Sequence, residues 1–525
     1  MSWKHFRSIF KKEQHDESRF ILGLDLGNDT SVIAYYDTNH GPEVIDLSGG
    51  YGKPSVPTVM QYAADTREWV FGEYAVLNKG IGKDVTLSAL MEKLGQRAYV
   101  DVAGRSVSVA AVLGLYLKEL LSNVKNINPK AVIAGIVVSV PSYWGEEAKA
   151  ELTDALAEAG CGDVLIGLLP DRDCVFSRFY FGRKPTREKV LMLDFGSRAL
   201  RGMVYDVSPS GTQANIDCLV SFFDESIGTK RLNAAVSDLF THFYCVETGQ
   251  KPDALGAQVR GQIEAFTYQH KDLLFQKDTT LKPVRLYFNF AYPPFQRNLT
   301  RQSVDGLIAP FAAEMENFIK KLFGKSAGAL ATSDIDRVIC VGGGFEMLWI
   351  KNCVEGLFPD SHIVTTKNAK AVMAEGAAIL AAEALGVTAN AVSLNVTDRS
   401  RLTADIGIQV VVERRKKFIP LAARDAFWWQ AHPAKLLLIN EKTDKPVRIV
   451  LYTRGVGGEM APLQELVLDN LPIRPRGTTR IQMRLDFNSA DSVTMSCEDA
   501  GFGELFPKKT YTRTFRINTK GGEQI

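Results

Sequence analysis

Apolar and polar residues alternate along this chain with two different periods. From Phe20 to about Leu385, short apolar runs typical of strands alternate with longer helical patterns. This alternation predicts an α/β architecture in which helices cover the sheets. The helical patterns span residues 109–124, 145–160, 232–245, 306–324 and 370–386.

The pattern changes after Leu385. Residues 387–405 are polar and lack a helical face, which is typical of a linker. Further on, apolar and polar residues alternate one by one in 480–487 and 493–498. A period of two indicates half-buried antiparallel strands and predicts a small β-sandwich. The chain is therefore predicted to consist of an N-terminal extension, an α/β region, a linker and a β-domain, at 1–19, 20–386, 387–405 and 406–520.

Composition narrows the class of protein. A chain of 525 residues suggests two to four domains. A net charge of +2 provides no strong field for nucleic acid, so no nucleic-acid partner is expected. The seven cysteines are scattered and none forms a CxxC pair, which favours reduced thiols and a cytoplasmic location. No apolar run reaches the roughly 18 residues of a membrane-spanning helix, so no transmembrane segment is expected.

The first residues have an amphipathic pattern. Trp3, Phe6, Ile9 and Phe10 have helical spacing, and basic residues lie elsewhere around that helix. Such a segment could bind a membrane surface or a partner helix. The alternative is a frayed extension before the first strand.

Two stretches share the design of strand, tight turn and strand. Residues 20–37 contain Asp25-Leu26-Gly27, and residues 190–207 contain Asp194-Phe195-Gly196. Glycine turns let backbone N–H groups approach a phosphate, and a neighbouring carboxylate can hold Mg²⁺ through water. The predicted nucleotide-binding residues in these turns are Asp25, Gly27, Asn28, Asp29, Asp194, Gly196 and Ser197, with Asp25 and Asp194 around the metal.

A third glycine turn follows a predicted strand at 337–341. Gly342, Gly343 and Gly344 would let the backbone pass close to a nucleoside or a phosphate. The alternative for each of the three turns, taken alone, is that its glycines serve only the backbone conformation.

The order of these motifs resembles a known family. The two hairpins, "VVSVPSYW" (137–144), "VICVGGG" (338–344) and "AEGAAILAA" (374–382) follow one another as in the actin-fold ATPase domain of the seventy-kilodalton heat-shock chaperones, the DnaK type. Residues 466–487 are similar to part of that family's substrate-binding β-domain. The resemblance covers about 20–517.

The resemblance implies a fold and a set of ligands. The fold would be a duplicated actin-like (ribonuclease H-like) nucleotide-binding domain followed by a small antiparallel β-sandwich. The ligands would be ATP or ADP with Mg²⁺, and the partner an unfolded or extended polypeptide. By match, Ile408, Val447 and Ile449 would line the peptide pocket, and the alternative is that they are ordinary core residues. The pattern after the β-domain predicts that the family's helical lid is missing.

Several positions depart from the family pattern. Asn28 and Asp29 replace two threonines of the first hairpin. Val76 replaces a phosphate-binding lysine, with Lys79 three residues later, and Leu169 replaces the catalytic carboxylate unless Asp171 takes that role. In the second hairpin, Ser197-Arg198-Ala199 replaces Gly-Gly-Thr. After the glycine turn, Glu346 replaces an adenine-stacking arginine. These changes predict nucleotide binding with very slow or absent hydrolysis.

Two functions remain open from the sequence. One is an ATP-dependent chaperone in which nucleotide controls the grip of the β-domain on a peptide. The other is a nucleotide-binding pseudo-ATPase scaffold without turnover. Arg198 and Arg201, in or beside the second turn, either bind phosphate or point to solvent.

Overall fold

The protein is described from a computed structural model of the chain. The description covers residues 19–516 except for 48–52, 80–83, 212, 276–282, 327–329, 367, 389–391, 399–400, 414, 425, 429–434, 440–443, 456–457, 470, 490–491 and 502–508. The N-terminal amphipathic pattern lies outside the described residues. None of the described helices is long and apolar enough to span a membrane.

The first lobe comprises residues 19–170. Its main sheet has the strand order β11-β10-β1-β2-β3, with β4 beside β2, and helices pack against it. The interior strand β10 is a run of apolar residues buried at its carboxyl end, as expected for a parallel strand covered on both faces. The elements are β1 (Arg19–Leu26), β2 (Thr30–Asp37), β3 (Gly41–Val44), β4 (Val56–Pro57), β5 (Met60–Ala63), β6 (Glu68–Phe71), α1 (Glu73–Leu77), β7 (Val85–Leu87), β8 (Tyr99–Val102), β9 (Arg105–Ser108), α2 (Val109–Ser122), α3 (Val124–Ile127), β10 (Val132–Val140), α4 (Glu146–Glu158) and β11 (Leu165–Pro170).

The second lobe comprises residues 188–398 and follows the connecting helix α5. Its main sheet has the order β18-β17-β12-β13-β14-β19, so its first five strands repeat the order of the first lobe. The elements are α5 (Asp171–Tyr180), β12 (Glu188–Phe195), β13 (Leu200–Ser210), β14 (Gln213–Asp224), α6 (Thr229–Thr248), α7 (Ala257–Phe275), β15 (Val284–Phe288), β16 (Phe295–Leu299), α8 (Arg301–Gly324), β17 (Arg337–Val341), α9 (Leu348–Leu357), β18 (His362–Val364), α10 (Val372–Ala384) and β19 (Ser393–Asp398).

Two helices, α5 and α10, pack between the two main sheets. Residues of both helices belong to the apolar cluster of the first sheet and also to that of the second. They can lie this close because small residues face each other: a Cβ added at Gly376 would lie 1.8 Å from the carbonyl oxygen of Cys174. The close packing fixes the position of the two hairpins at the cleft between the lobes.

Residues 405–516 form two four-stranded antiparallel sheets, ordered β21-β20-β23-β24 and β22-β25-β26-β27. Both contribute side chains to one shared apolar cluster. The strands are β20 (Asp405–Val412), β21 (Arg415–Ala422), β22 (Lys435–Ile439), β23 (Val447–Arg454), β24 (Met460–Leu468), β25 (Thr479–Ser489), β26 (Ser492–Asp499) and β27 (Lys509–Arg516). The strands predicted at 480–487 and 493–498 are confirmed as the paired β25 and β26.

The helical predictions are confirmed with small shifts at the ends. The five predicted segments correspond to α2, α4, α6, α8 and α10. The pattern did not predict α7, the helix at 257–275. The predicted linker 387–405 contains β19, which pairs in parallel with β14, and the domain boundaries themselves stay predictions. All seven cysteines are free thiols, as their spacing indicated.

Candidate functional site

The two predicted hairpins face one cleft and have the same turn. The Gly27 amide donates to the carbonyl oxygen of Thr30, and the Gly196 amide donates to that of Ala199, both at 3.1 Å. A cavity of about 560 Å³ lies between them. This volume is in the range of small-molecule sites. Its lining includes most of the predicted nucleotide residues, namely Asp25, Gly27, Asn28, Asp29, Asp194, Gly196, Ser197, Gly342 and Gly343.

The glycine turn after β17 is shaped by its contact with the second hairpin. Gly342 has φ of +89°, and a Cβ there would lie 2.6 Å from Asp194 Oδ1. A Cβ at Gly344 would lie 2.3 Å from the Phe195 ring, and Gly344 is itself buried. Packing therefore explains Gly342 and Gly344 without a ligand, and only Gly342 and Gly343 of the three line the cavity.

Arg201 occupies the centre of the cleft. Strand register places it directly opposite Asp194 across the second hairpin. Its Nη2 donates to Asp194 Oδ2, and its Nη1 donates to Asp171 Oδ2 at 2.5 Å. The side chains of Asp171 and Asp194 are 5% and 6% exposed, and that of Arg201 is 18% exposed. The guanidinium therefore bridges two buried carboxylates.

The alternative that both arginines point to solvent is wrong for Arg201. The two carboxylates attract it inward because an unpaired buried carboxylate is costly. Arg198 instead forms an ion pair with Glu225 at 2.9 Å, and its side chain is 41% exposed. Arg198 still lines the cavity.

The acidic groups of the cleft perturb one another. Burial, together with the charges of Asp194 and Asp171, raises the pKa of Asp25 to about 7, although Arg201 partly opposes the shift. Burial also raises the pKa of Asp194, against the opposing effect of Arg201. Burial lowers the pKa of Arg201, but the carboxylates of Asp194 and Asp171 outweigh it and the net pKa is raised. Arg201 therefore stays a cation, while Asp25 changes charge near neutral pH.

Two polar atoms of the cleft are buried without a partner among the described residues. They are Asn28 Oδ1, in the first turn, and Ser139 Oγ, near the end of β10. Both residues line the cavity. Buried polar atoms normally find a hydrogen bond, so these two atoms indicate a place for a polar ligand or water.

Of the departing positions, Glu346 and those in the two turns line the cavity, whereas Val76 and Leu169 do not. Lys79 does not line the cavity and forms an ion pair with Glu264 of α7. Glu346 Oε2 lies 3.5 Å from Lys370 Nζ. Leu169 lies in β11, and the neighbouring carboxylate that enters the cleft is Asp171, at the start of α5. Asp171 is therefore in the cleft, but Arg201 holds it.

An aromatic row leads from Arg201 to the β-domain. The Arg201 guanidinium lies 5.8 Å from the Tyr143 ring centre. Tyr143 stacks on Phe223 with ring centres 6.3 Å apart, and Phe223 lies 6.1 Å from Phe427. The Arg401 guanidinium lies over the Phe427 ring, 4.1 Å from the ring centre. The wall of the cleft that contains Tyr143 and Phe223 therefore extends to Phe427, which follows β21, and to Arg401, which follows β19.

The predicted peptide-pocket residues lie elsewhere. Ile408 and Ile449 are 2% and 5% exposed in the shared core of the two β-domain sheets, and Val447 packs against that core. Their burial is that of core residues, and the peptide-pocket assignment stays a prediction.

The cleft does not fit a hydrated Mg²⁺ well. Mg²⁺ requires oxygen ligands and keeps several waters. Asp194, one of the two predicted metal-site residues, already accepts from Arg201, and so does Asp171. Among the described residues, no group of three or more His, Cys, Asp or Glu side chains could hold a metal ion.

The sequence predicts both hairpins but not the bridge from Arg201 to Asp171 and Asp194. The signal was present in the hairpin itself: a turn closed between Gly196 and Ala199 puts Asp194 and Arg201 opposite each other. In the first hairpin the same position, opposite Asp25, is Val32. The two halves of the site are therefore asymmetric in charge.

The chain is similar to known chaperone proteins over most of its length. The chain is similar to the chaperone protein DnaK of Thermosipho melanesiensis, at 23% identity over 502 residues, covering 93% of this chain and 79% of that protein. It is similar to the chaperone protein DnaK of Trichormus variabilis at 22% identity over 525 residues, covering 92% and 71%. The mixed α/β structure is compatible with this relationship.

Two family models match parts of the chain. Residues 41–214 match the C-terminal model of a family of unknown function, DUF5716. Residues 401–518 match a domain of unknown function, DUF8552. The second match coincides with the two β-domain sheets.

Proposed function

We propose that this protein binds ATP or ADP in the cleft between its lobes without appreciable hydrolysis, as a nucleotide-binding scaffold of the heat-shock-chaperone type. Residues 20–386 would be a duplicated actin-like domain, since the two lobes share a strand order and a hairpin turn. The two sheets that follow would be its β-sandwich. The similarity to DnaK proteins over more than nine-tenths of the chain supports a nucleotide ligand.

The observation that favours binding without turnover is the bridge from Arg201 to Asp171 and Asp194. Phosphoryl transfer depends on positioning the nucleophile and neutralising charge on the transferred group. A carboxylate fixed by a guanidinium is a poor base for orienting water. The other position expected to hold a carboxylate is Leu169.

A role for the β-domain as a peptide-binding module has weaker support. The side chains assigned to its pocket belong to the core. Its contact with the cleft wall through Phe427 and Phe223 favours a docked arrangement of the two parts. We therefore propose the scaffold function ahead of the ATP-driven chaperone.

The test combines titration with single-turnover kinetics on the full chain. ATP and ADP should release heat on binding and raise the melting temperature, as a ligand that binds only the folded state must. Phosphate release from bound ATP should stay at the background measured without protein. ATP turnover that Asp194→Ala abolishes would overturn the non-hydrolysing assignment, and absence of binding would overturn the nucleotide assignment.

A further inference from the structure

We propose that the Arg201 guanidinium is the permanent cation of the cleft, so that nucleotide polyphosphate binds this protein without a divalent metal. This inference rests on the nucleotide-binding function proposed above and adds that the binding needs no divalent metal. It also assigns Arg201 as a phosphate-contacting residue.

The first support is the position of the charge. Arg201 lies between Asp171 and Asp194, at the second hairpin, and lines the cavity that also contains Gly196 and Ser197. A polyphosphate bound across both hairpins would pass this guanidinium. Two of its N–H donors hold the two carboxylates. A guanidinium has five N–H donors in a planar fork that matches phosphate oxygens, so donors remain for a phosphate.

The second support is that the cation is held in place. Both carboxylates are almost fully buried, and the Tyr143 ring lies beside the guanidinium. Breaking a buried ion pair from one side leaves a charge without compensation, which is strongly unfavourable. Mg²⁺ would have to share both carboxylates with Arg201, whose positive charge would lie beside the metal.

The third support is the difference between Arg201 and the other cations of the cleft. Arg198, Lys271 and Lys370 also line the cavity, together with eight Asp and Glu residues. Lys370 lies 3.5 Å from Glu346, and Arg198 is paired with Glu225 at the surface. Arg201 is distinguished from both because its carboxylate partners are buried.

The decisive measurement uses the unmodified protein. ATP is titrated by calorimetry once with Mg²⁺ and once with EDTA. The two dissociation constants should agree within about threefold, which is under 1 kcal/mol. Mg²⁺ alone, without nucleotide, should leave the melting temperature unchanged.

Two substitutions sharpen the test. Arg201→Ala should weaken ATP binding in EDTA at least about tenfold, and Mg²⁺ alone should now raise the melting temperature, because Asp171 and Asp194 become available. Arg201→Lys keeps a cation and should keep binding in EDTA. Arg297→Ala is the matched control: it removes an arginine of the second lobe that does not line the cavity and whose ion pair with Glu247 is exposed, and it should change ATP affinity less than about threefold.

The outcomes separate the two proposals. ATP binding that requires Mg²⁺ in the unmodified protein, or stabilisation of that protein by Mg²⁺ alone, overturns the metal independence and leaves the nucleotide function standing. An unchanged ATP affinity in Arg201→Ala, or an equal loss in Arg297→Ala, overturns the assignment of Arg201. No binding with or without metal overturns both proposals. If Arg201→Ala does not fold, the comparison of Mg²⁺ and EDTA in the unmodified protein decides.

Discussion

Lys79 of the first lobe forms an ion pair with Glu264 of the second lobe, so one exposed contact joins the two sides of the cleft. A second contact lies beside it, where the Tyr268 hydroxyl donates to Glu73 at 3.3 Å. The position expected to supply a phosphate-binding lysine therefore lies in a region that links the lobes. Such a contact should control how readily the cleft opens.

Glu264→Gln should speed the release of bound nucleotide several-fold while changing stability by less than about 1 kcal/mol, since exposed ion pairs stabilise little. Stopped-flow displacement of a fluorescent ADP analogue measures the rate. Glu247→Gln is the control, because the Glu247 pair with Arg297 is similarly exposed but lies within the second lobe. Equal release rates in the two variants would contradict a latch between the lobes.

Asp25 should make stability depend on pH. Its pKa is about 7 in the folded protein against an ordinary 3.8. The folded state then binds more protons than the unfolded state between these values, so this contribution is fully present below about pH 3.8 and is lost as the pH rises through about 7. Asp25→Asn should flatten the melting temperature between pH 5 and about pH 7 relative to the unmodified protein.

Melting curves recorded across this pH range, without nucleotide, test the role of Asp25. Asp163→Asn, at an exposed position, serves as the control and should leave the pH profile unchanged. A profile that Asp25→Asn does not alter would show that another group is responsible.

Gly376→Ala should destabilise the packing of α10 on α5. The added Cβ would lie 1.8 Å from the Cys174 carbonyl oxygen, so backbone must move. Overpacking of this kind costs about 1–3 kcal/mol. Gly306→Ala is the opposite control, because that glycine is an exposed position in α8 with no atom within 4 Å of an added Cβ. It should raise stability by about 0.5–1 kcal/mol, and thermal melting should show the two signs.

Asp499→Asn should unfold the β-domain more easily. Asp499 accepts from both Nη atoms of Arg474, at 2.8 and 2.9 Å, and the two side chains are 0% and 1% exposed. Removing one charge of a buried pair costs about 3–5 kcal/mol. The denaturation midpoint of the β-domain transition in the full chain should fall.

The matched control for this buried pair is Asp486→Asn. Its partner Arg484 lies in the same strand, and both side chains are exposed. The free energy of unfolding should change by less than about 1 kcal/mol. A similar loss in both variants would mean that burial does not determine the contribution of the Arg474 pair.

The sequence was sufficient for most of the elements, though not for α7 or β19, and for the two hairpins. Periodicity is a local property, and Asp25 and Asp194 each follow a buried apolar strand, so both could be placed at one cleft. The role of Arg201 needed the strand register as well as the arrival of Asp171 from the start of another helix. That second contact depends on how α5 leaves β11, which no local pattern specifies.

The sequence also did not decide whether Ile408 and Ile449 face the core or a groove. In an alternating strand, a residue facing a groove and a residue facing the core have the same pattern. Only the packing of the second sheet shows that these side chains are covered.

The docking of β19 on β14 determines where this chain can be divided. Strand β14 is 12 residues long, and β19 pairs with one half of it in the final position of the sheet. A truncation after residue 386 would uncover the hydrogen-bonding groups along that half. An uncovered strand edge pairs readily with other chains and leads to aggregation. A fragment meant to represent the two lobes should therefore extend through Asp398, whose carboxylate also accepts from Arg172 at 2.9 Å.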